Sequence, residues 1–405
     1  MTRLEPQPWM RAPQTMKLME VLGDARFVGG VVRNALLGRP VTDIDIATPL
    51  PPDKVKALLE VAGIKAVPTG IDHGTITAVV DGKPFEVTTL RRDVATDGRH
   101  AIVAFTTDWA EDARRRDFTM NALYADIDGA ITDVVGGIAD IEAGRVRFVG
   151  DPITRIREDY LRILRFFRFH AWYGRTELDA EALYACEKEK SGLVRLSGER
   201  IAKEMLKLFE AESPVTVLMS MGVIGVLEEV VPGAAEILPL RRLAAMDAEL
   251  GTAPDGVLRL AALLPAGRAV LTAQLIAARW KLSNVDRDRL VAAASAPRDI
   301  ALYADPRLAR RLLYRMGPEG FRDALLLAIV SETRDEWRRI YDGVRSLTAP
   351  RFPISGKDVV ARGIRIGPLI GQILHTLETW WVENDFPQDA LLIQRLDETV
   401  KQVQE

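Results

Sequence analysis

The chain has 405 residues and a net charge of −3, with 48% hydrophobic and 27% charged residues. This length predicts two or more domains. The composition is typical of a globular protein and argues against a nonspecific polyanion binder, although it does not exclude local basic surfaces. A single cysteine, Cys186, excludes an internal disulfide. The first residues, MTRLEPQPWMRAPQ, contain no apolar core of signal-peptide length, and no run of eighteen or more apolar residues indicates a membrane span. We therefore expect a cytoplasmic protein that has no membrane partner.

The first 149 residues alternate strand-like and helix-like patterns. The predicted strands are residues 25–28, 42–47, 75–80, 84–90 and 122–126. The predicted helices between them are residues 31–37 and 53–62. The pairs Asp81-Gly82 and Asp128-Gly129 are turn signals of the kind found between neighbouring strands. These patterns predict a small α/β head with a mixed sheet.

From Pro152 onward the strand patterns disappear and helical patterns take over, beginning with residues 153–172, 179–190 and 197–211. Breaks in the helical pattern fall at prolines, at positions 214, 232, 254, 265 and 318. The sequence therefore predicts an α+β fold, in which the small head is followed by an all-helical remainder.

A pair of glycines followed by a pair of aspartates is the most informative feature of the head. Gly29 and Gly30 open the first predicted helix, and glycines let the backbone approach a phosphate closely. Asp43 and Asp45 stand two residues apart on a predicted strand, so both point to one face. Neighbouring carboxylates are costly without a cation between them, and oxygen ligands suit Mg²⁺ held together with substrate phosphates. This order predicts a phosphate cradle beside a metal site; two solvated surface aspartates are the alternative.

Residues 29–34, GGVVRN, and 43–45, DID, resemble the signature of the class II nucleotidyltransferases of the polymerase-beta superfamily. These are the CCA-adding enzymes and the bacterial poly(A) polymerases. The family usually has an aspartate where Asn34 stands, and asparagine keeps the hydrogen-bonding shape but loses the charge. The resemblance implies that Asp43 and Asp45 are catalytic and hold two Mg²⁺ ions. It also implies that three residues of the turn bind nucleotide: Gly29, Gly30 and Arg33.

Two further segments of the head resemble the same family. Residues 84–91, PFEVTTLR, look like its neighbouring strand, where Glu86 is either a third catalytic carboxylate near the metals or an exposed strand acid. Residues 115–122, RRDFTMNA, resemble its second motif, and an arginine pair suits triphosphate oxygens because a guanidinium donates in a planar fork. The resemblance implies that this motif contacts the triphosphate and the ribose through Arg116, Asp117 and Asn121.

The polar stretch 92–108, which contains Gly98, lies between these two segments. It looks like the flexible loop that CCA-adding enzymes use near the nucleotide.

Residues 158–162, EDYLR, resemble the family motif that selects the base, so Glu158, Asp159 and Arg162 are expected to bind nucleotide. We expect Asp159 and Arg162 to be neighbours at i and i+3 on one helix. A carboxylate accepts from the amino group of cytosine or adenine, and a guanidinium donates to the adjacent ring nitrogen. Uracil and guanine present a carbonyl instead and are refused. An intrahelical salt bridge is the alternative. Glu199 and Arg200, in a further similar segment, are expected to support the site.

The resemblance implies four parts: a nucleotidyltransferase head at 1–149, a helical neck at 150–212, a helical body at 213–345 and a helical tail at 346–405. The implied activity is template-independent addition of CMP and AMP, from CTP and ATP, to the 3′ end of tRNA. Mg²⁺ would be the cofactor and pyrophosphate the by-product, and no obligate protein partner is expected. Three alternatives stay open: a poly(A) polymerase, a tRNA enzyme that adds only C or only A, and an inactive RNA-binding protein.

Overall fold

The structure is a computed structural model. It describes residues 3–70, 74–96, 101–234, 237–332, 337–388 and 390–404. The chain forms two compact units, Met1–Ala234 with Ala278–Leu282, and Ala235–Ala277 with Ser283–Glu405. The finer division into head, neck, body and tail stays a prediction.

The strands all lie in the first unit. They are β1 (Arg26–Val28), β2 (Asp45–Thr48), β3 (Lys65–Gly70), β4 (Thr75–Val80), β5 (Lys83–Thr89), β6 (Arg91–Thr96), β7 (Ala101–Phe105), β8 (Leu123–Ala125) and β9 (Ile131–Asp133). In the described part of the chain, seven of them form one sheet in the order β3-β4-β5-β2-β1-β8-β9. Strands β2 and β5 run parallel, and the other neighbours in this sheet are antiparallel. Strands β6 and β7 form a separate antiparallel hairpin.

Alternating burial explains why the predicted strands form the sheet. In β4, Ile76, Ala78 and Val80 are buried, whereas the residues between them are half-exposed. The strand ends in a tight turn at Asp81 and Gly82, whose φ angles of 47° and 80° are those of the left-handed region. Part of the core beside this sheet is one cluster of buried side chains: Val28, Ala47, Leu90, Ala113, Ala122, Tyr124 and Val149.

Helices complete the first unit. They are α1 (Pro13–Leu22), α2 (Gly30–Leu36), α3 (Pro52–Val61), α4 (Trp109–Arg114), α5 (Gly137–Ala143), α6 (Pro152–Glu158), α7 (Leu161–Tyr173), α8 (Ala180–Glu189), α9 (Gly198–Phe209), α10 (Val215–Val223) and α11 (Val226–Val230).

The second unit is built from helices. They are α12 (Leu238–Leu250), α13 (Gly256–Ala262), α14 (Ala269–Trp280), α15 (Asn284–Ser295), α16 (Ala301–Ala304), α17 (Pro306–Ser331), α18 (Trp337–Val344), α19 (Gly356–Val360), α20 (Pro368–Glu383) and α21 (Ala390–Gln404). The last residues of α14 belong to the first unit. The α+β fold, with a mixed-sheet head and a helical remainder, is confirmed.

The length and hydropathy of the described helices show whether any of them could span a membrane. No single one of them is both long enough and apolar enough to cross a bilayer, whereas one pair, Gly256–Ala262 with Ala266–Trp280, passes that test together but is bent by 104°.

The structure corrects two boundaries in the head. The strand predicted at 42–47 begins at Asp45, where its pairing with β5 begins, so Asp43 precedes the strand. The stretch 92–108, predicted as a loop, is largely the β6–β7 hairpin, in which Arg91 pairs with Phe105. Polarity alone does not exclude a strand, because backbone hydrogen bonds pair the two legs of a hairpin. Gly98 lies outside the described residues.

A third correction concerns the helix predicted at 153–172, which is broken between α6 and α7. Asp159 has φ −157° and ψ 106°, an extended conformation. Its Oδ1 accepts from the backbone N–H of Leu161 at 3.1 Å, in the first turn of α7. Aspartate favours such local capping bonds over continuing a helix.

Candidate active site

Two arginines flank the glycine turn between β1 and α2. Gly29 has a φ of 70°, in the left-handed region that favours glycine. A Cβ at Gly29 would lie 3.7 Å from Arg116 Nη1, and one at Gly30 would lie 3.6 Å from Arg33 Nη2. The turn thus brings two guanidinium groups close to the backbone of a glycine pair. This arrangement can bind a phosphate anion.

Arg33 is buried and is held by neutral groups. Its Nη1 donates to Asn121 Oδ1 at 2.5 Å, and its Nη2 donates to Tyr173 Oη at 2.9 Å. Its Nε and Nη2 both donate to Asn34 Oδ1, at 3.2 and 2.9 Å. Burial lowers the pKa of Arg33, so a nearby anion would stabilise its charge. Asn34 therefore keeps a hydrogen bond to the arginine without adding a negative charge.

Three carboxylates lie near one another at the interior strands β2 and β5 of the sheet. Asp45 is half-buried at the start of β2, and Glu86 on the parallel strand β5 is its register partner. Burial, and then the negative charges of Glu86 and Asp43, raise the pKa of Asp45 to about 6, although Arg116 and Arg33 oppose this rise. Such mutual repulsion marks a place where a cation would be favourable.

The donor chemistry of these carboxylates fits Mg²⁺, which prefers carboxylate oxygens together with phosphate and water. Among the described residues, however, no group of three or more acidic, histidine or cysteine side chains lies close enough to hold a metal by itself. An ion held by Asp43 and Asp45 would therefore need further oxygen ligands, such as those of a bound phosphate.

Asp117 and Asn121 of the second motif are engaged with the protein. Asn121 Nδ2 donates to Asp117 Oδ1 at 3.0 Å, and Asp117 Oδ2 accepts from Arg165 at 2.5 and 2.8 Å. Burial raises the pKa of Asp117, but the charge of Arg165 and these hydrogen bonds have a larger, opposite effect. The pKa of Asp117 therefore lies well below its usual range. Asp117 is thus anionic, and with Asn121 it links Arg33 to Arg165. Contact with a ribose stays a prediction.

The ion pairs of Asp159 and Arg162, the residues expected to select the base, differ from the expectation. Arg162 Nη1 pairs with Glu158 at 2.5 Å, and Arg162 also donates to the backbone carbonyls of Arg155 and Arg115. Asp159 pairs with Arg200 of α9 at 2.7 Å. The expectation that Asp159 and Arg162 are neighbours along one helix was wrong, because the chain is extended at Asp159. The structure gives each side chain its own partner.

Comparisons with known proteins agree with the motifs. The family described as the poly A polymerase head domain matches residues 25–147, and the family described as a probable RNA and SrmB-binding site of polymerase A matches residues 177–238. The mitochondrial CCA tRNA nucleotidyltransferase 1 of Danio rerio is 33% identical over 91% of this chain and 86% of its own length. The CCA-adding enzyme of Pediococcus pentosaceus is 30% identical over 96% of this chain and 97% of its own length.

The chain belongs to the class II CCA-adding enzyme family.

Solved structures of CCA-adding enzymes share its fold. The Bacillus stearothermophilus CCA-adding enzyme in complex with CTP is 27% identical, with a TM-score of 0.70 over 97% of this chain and 99% of that one. The Thermotoga maritima CCA-adding enzyme complexed with tRNA_CCA has a TM-score of 0.67 over the full length of both chains, but at 19% identity this likeness concerns the fold alone.

Sequence reasoning missed several residues that shape the site of this family member. Tyr173 contacts Arg33 from 140 residues away, and nothing local in the sequence points to it. Arg165 was not singled out as the partner of Asp117. Asp112 precedes Arg115 and Arg116 by three and four residues, a helical spacing that could have revealed the pairing. Arg200 was expected to support the site, and the structure shows it bound to Asp159.

Proposed function

We propose that this protein adds CMP and AMP, from CTP and ATP, to the 3′ end of tRNA and releases pyrophosphate. The observation that carries the proposal is the convergence of Arg33 and Arg116 on the glycine turn, beside Asp45 and its strand partner Glu86. An anion-binding turn next to a carboxylate cluster is what nucleotidyl transfer needs. Family membership narrows this chemistry to the CCA end of tRNA.

In this proposal the triphosphate binds at Gly29 and Gly30 between the guanidinium groups of Arg33 and Arg116. The RNA 3′ hydroxyl attacks the α-phosphate, and pyrophosphate leaves. Asp43 and Asp45 would hold Mg²⁺, with Glu86 as a third carboxylate beside them. When bound, Mg²⁺ supplies Lewis-acid stabilisation of the charge that develops on the phosphate oxygens.

Asp159 and Arg162 read the base. The Asp159 carboxylate accepts from the exocyclic amino group of cytosine or adenine, and Arg162 donates to the neighbouring ring nitrogen. Glu158 orients Arg162 through their 2.5 Å ion pair. Asp117 and Asn121 orient Arg33 from the second motif.

The comparisons support the substrates. The Bacillus stearothermophilus relative was solved with CTP, and curated relatives at 30% identity or more carry CCA addition in their names. In this proposal ATP completes the CCA end, the helical body and tail hold the tRNA, and the reaction takes place in the cytoplasm.

The test uses purified protein, Mg²⁺ and a tRNA transcript that lacks its last three nucleotides. CTP alone, ATP alone and both together are supplied, and the 3′ ends of the products are sequenced. We expect two C residues with CTP alone and a complete CCA end with both nucleotides. Long A tails with ATP alone would instead identify a poly(A) polymerase, addition of C only or A only would identify a partial enzyme, and no addition in any reaction would contradict nucleotidyl transfer.

A further inference from the structure

A buried carboxylate outside the expected site residues holds both arginines of the second motif. Asp112, in α4, has a side chain that is only 1% exposed. Its Oδ1 accepts from Arg115 at 2.7 to 2.8 Å, and its Oδ2 accepts from Arg116 Nη2 at 2.9 Å and from Arg116 Nε at 3.2 Å. Tyr124 Oη donates to the same Oδ2 at 2.7 Å.

These bonds determine which edge of Arg116 faces the glycine turn. The Nε and Nη2 edge is turned to Asp112, and Tyr124 Oη also lies 3.1 Å from Nε. Nη1 is then the nitrogen next to Gly29, 3.7 Å from the place of a Cβ there. A long side chain held on one edge loses little further freedom when its other edge binds an anion.

The charge of Asp112 is well suited to this task. Although burial raises its pKa, the charges of Arg116 and Arg115 lower it more strongly, to well below the usual range. Asp112 is therefore ionised at neutral pH. Charge-assisted hydrogen bonds of this kind are stronger and more directional than neutral ones.

We propose that Asp112 is a positioning residue for the triphosphate, and that it acts by fixing the guanidinium of Arg116 with Nη1 toward the glycine turn. This inference rests on the proposed function in one respect: Arg116 is taken as a triphosphate ligand. It adds a residue that touches no substrate itself. Asp112 affects the substrate only through its hold on Arg116.

The same helix offers a matched control. Glu111 is the neighbouring acid of α4, and its Oε2 accepts from Thr106 Oγ1 at 2.6 Å, just after the β6–β7 hairpin. Substitution Glu111→Gln removes one negative charge from the same helix as Asp112→Asn does, but from a residue paired with Thr106. Comparison of the two variants separates positioning from a change in net charge.

The test measures binding of inorganic tripolyphosphate, in the presence of Mg²⁺, to the full-length protein by titration calorimetry. Four proteins are compared with the wild type: Asp112→Asn, Arg116→Ala, the double variant and Glu111→Gln. We expect Asp112→Asn and Arg116→Ala each to weaken binding on the order of tenfold. The double variant should bind within about twofold of Arg116→Ala, since Asp112 acts through Arg116. Glu111→Gln should bind like the wild type.

Several outcomes would overturn the inference. These are unchanged or tighter binding by Asp112→Asn, losses that multiply in the double variant, or an equal loss in Glu111→Gln. If Asp112→Asn does not fold, Tyr124→Phe removes one support of Arg116 and keeps the buried ring. It should weaken binding several-fold, and only while Arg116 is present.

Because this binding needs no tRNA, the inference and the proposed function can fail separately. Wild-type protein that binds tripolyphosphate but does not extend tRNA would contradict only the function. Wild-type protein that does not bind tripolyphosphate at all would overturn the inference.

Discussion

Asp45 combines burial with two negative neighbours, and this makes its ionised form costly. Its pKa is about 6 in the folded protein, against 3.8 as the ordinary value. A raised carboxyl pKa means that the folded state binds the proton more tightly than the unfolded state does. In the metal-free protein the contribution of Asp45 to stability therefore falls as the pH rises from about 4 to about 6, and this loss is complete above that range.

Substitution Asp45→Asn is expected to abolish nucleotide addition, because the metal site loses a carboxylate. The same substitution should leave the metal-free protein at pH 7.5 as stable as the wild type or more stable, by on the order of 1–3 kcal/mol. This difference should shrink as the pH falls through the range between the two pKa values, and it should vanish only well below pH 3.8, where Asp45 is protonated in both states. Thermal unfolding across pH and the tRNA extension assay measure the two effects.

Asp81→Asn is the control for this prediction. Asp81 lies in a turn with a φ of 47°, which asparagine tolerates, so both activity and stability should be kept. Normal turnover by Asp45→Asn would contradict the assignment of the metal site.

At the scale of elements, the break between α6 and α7 determines how Asp159 and Arg162 are paired. A continuous helix would place Asp159 and Arg162 on adjacent turns and favour their direct pairing. In the structure the backbone at Asp159 is extended, and Asp159 pairs with Arg200 whereas Arg162 pairs with Glu158. Each of the two side chains is therefore paired with a residue other than its expected partner.

Substitution Arg162→Ala is expected to relax selection for CTP and ATP over UTP on the order of 10- to 100-fold in kcat/KM, because a donor to the base is lost. Arg157→Ala is the matched control: its side chain is 64% exposed and pairs with Glu189. We expect the control to discriminate like the wild type. Unchanged discrimination by Arg162→Ala would mean that another residue reads the base.

Helix α17 is also broken, at Gly317. Its first half packs against the terminal helices, where Tyr314 contacts Trp381 and Phe386 at ring-centroid distances of 5.6 Å. Its second half packs elsewhere, with Phe321 against Tyr303. Gly317 has φ 72° and ψ 172°, a conformation that is almost restricted to glycine. Because of this break, the two halves of α17 pack against different groups of aromatic side chains.

Substitution Gly317→Ala is therefore expected to destabilise the protein by about 1–3 kcal/mol through backbone strain alone. No atom lies within 4 Å of the place of its Cβ, so a steric clash does not contribute. Gly343→Ala is the control, because Gly343 lies in α18 with equally open space. The control should gain up to about 1 kcal/mol. Equal thermal-unfolding shifts in the two variants would contradict the strain at Gly317.

At the scale of the whole molecule, the first unit is completed by a segment from far along the chain. Residues 278–282 belong to it, although they follow a stretch of the second unit. Trp280 is fully buried there, and its Nε1 donates to the carbonyl of Val230 at 3.0 Å. The chain thus leaves the first unit, returns to it and leaves again, so the first unit is not a simple N-terminal fragment.

Substitution Trp280→Ala is expected to destabilise the first unit by about 3–5 kcal/mol, since it leaves a cavity and an unpaired carbonyl. Leu275→Ala, on the same helix but 60% exposed, should change stability by less than about 0.5 kcal/mol. Chemical denaturation followed by circular dichroism compares the two variants. A similar midpoint for both would contradict the role of Trp280.

The sequence by itself determined the fold class, the family and the residue types of the site. These follow from short spacings: the glycine pair before a helix, two aspartates two residues apart, and the strings RRDFTMNA and EDYLR. Such patterns are local, so one reading of the chain finds them. Hydrophobic periodicity likewise separated the head from the helical remainder.

Only the tertiary structure decided the partners. The pairing of Asp45 with Glu86 depends on strand register, that of Asp159 with Arg200 on the packing of α7 and α9, and that of Arg33 with Tyr173 on a contact across 140 residues. No local spacing encodes these contacts, because they form only when distant segments pack together. The electrostatic environment of each site residue, including the raised pKa of Asp45, follows from that packing.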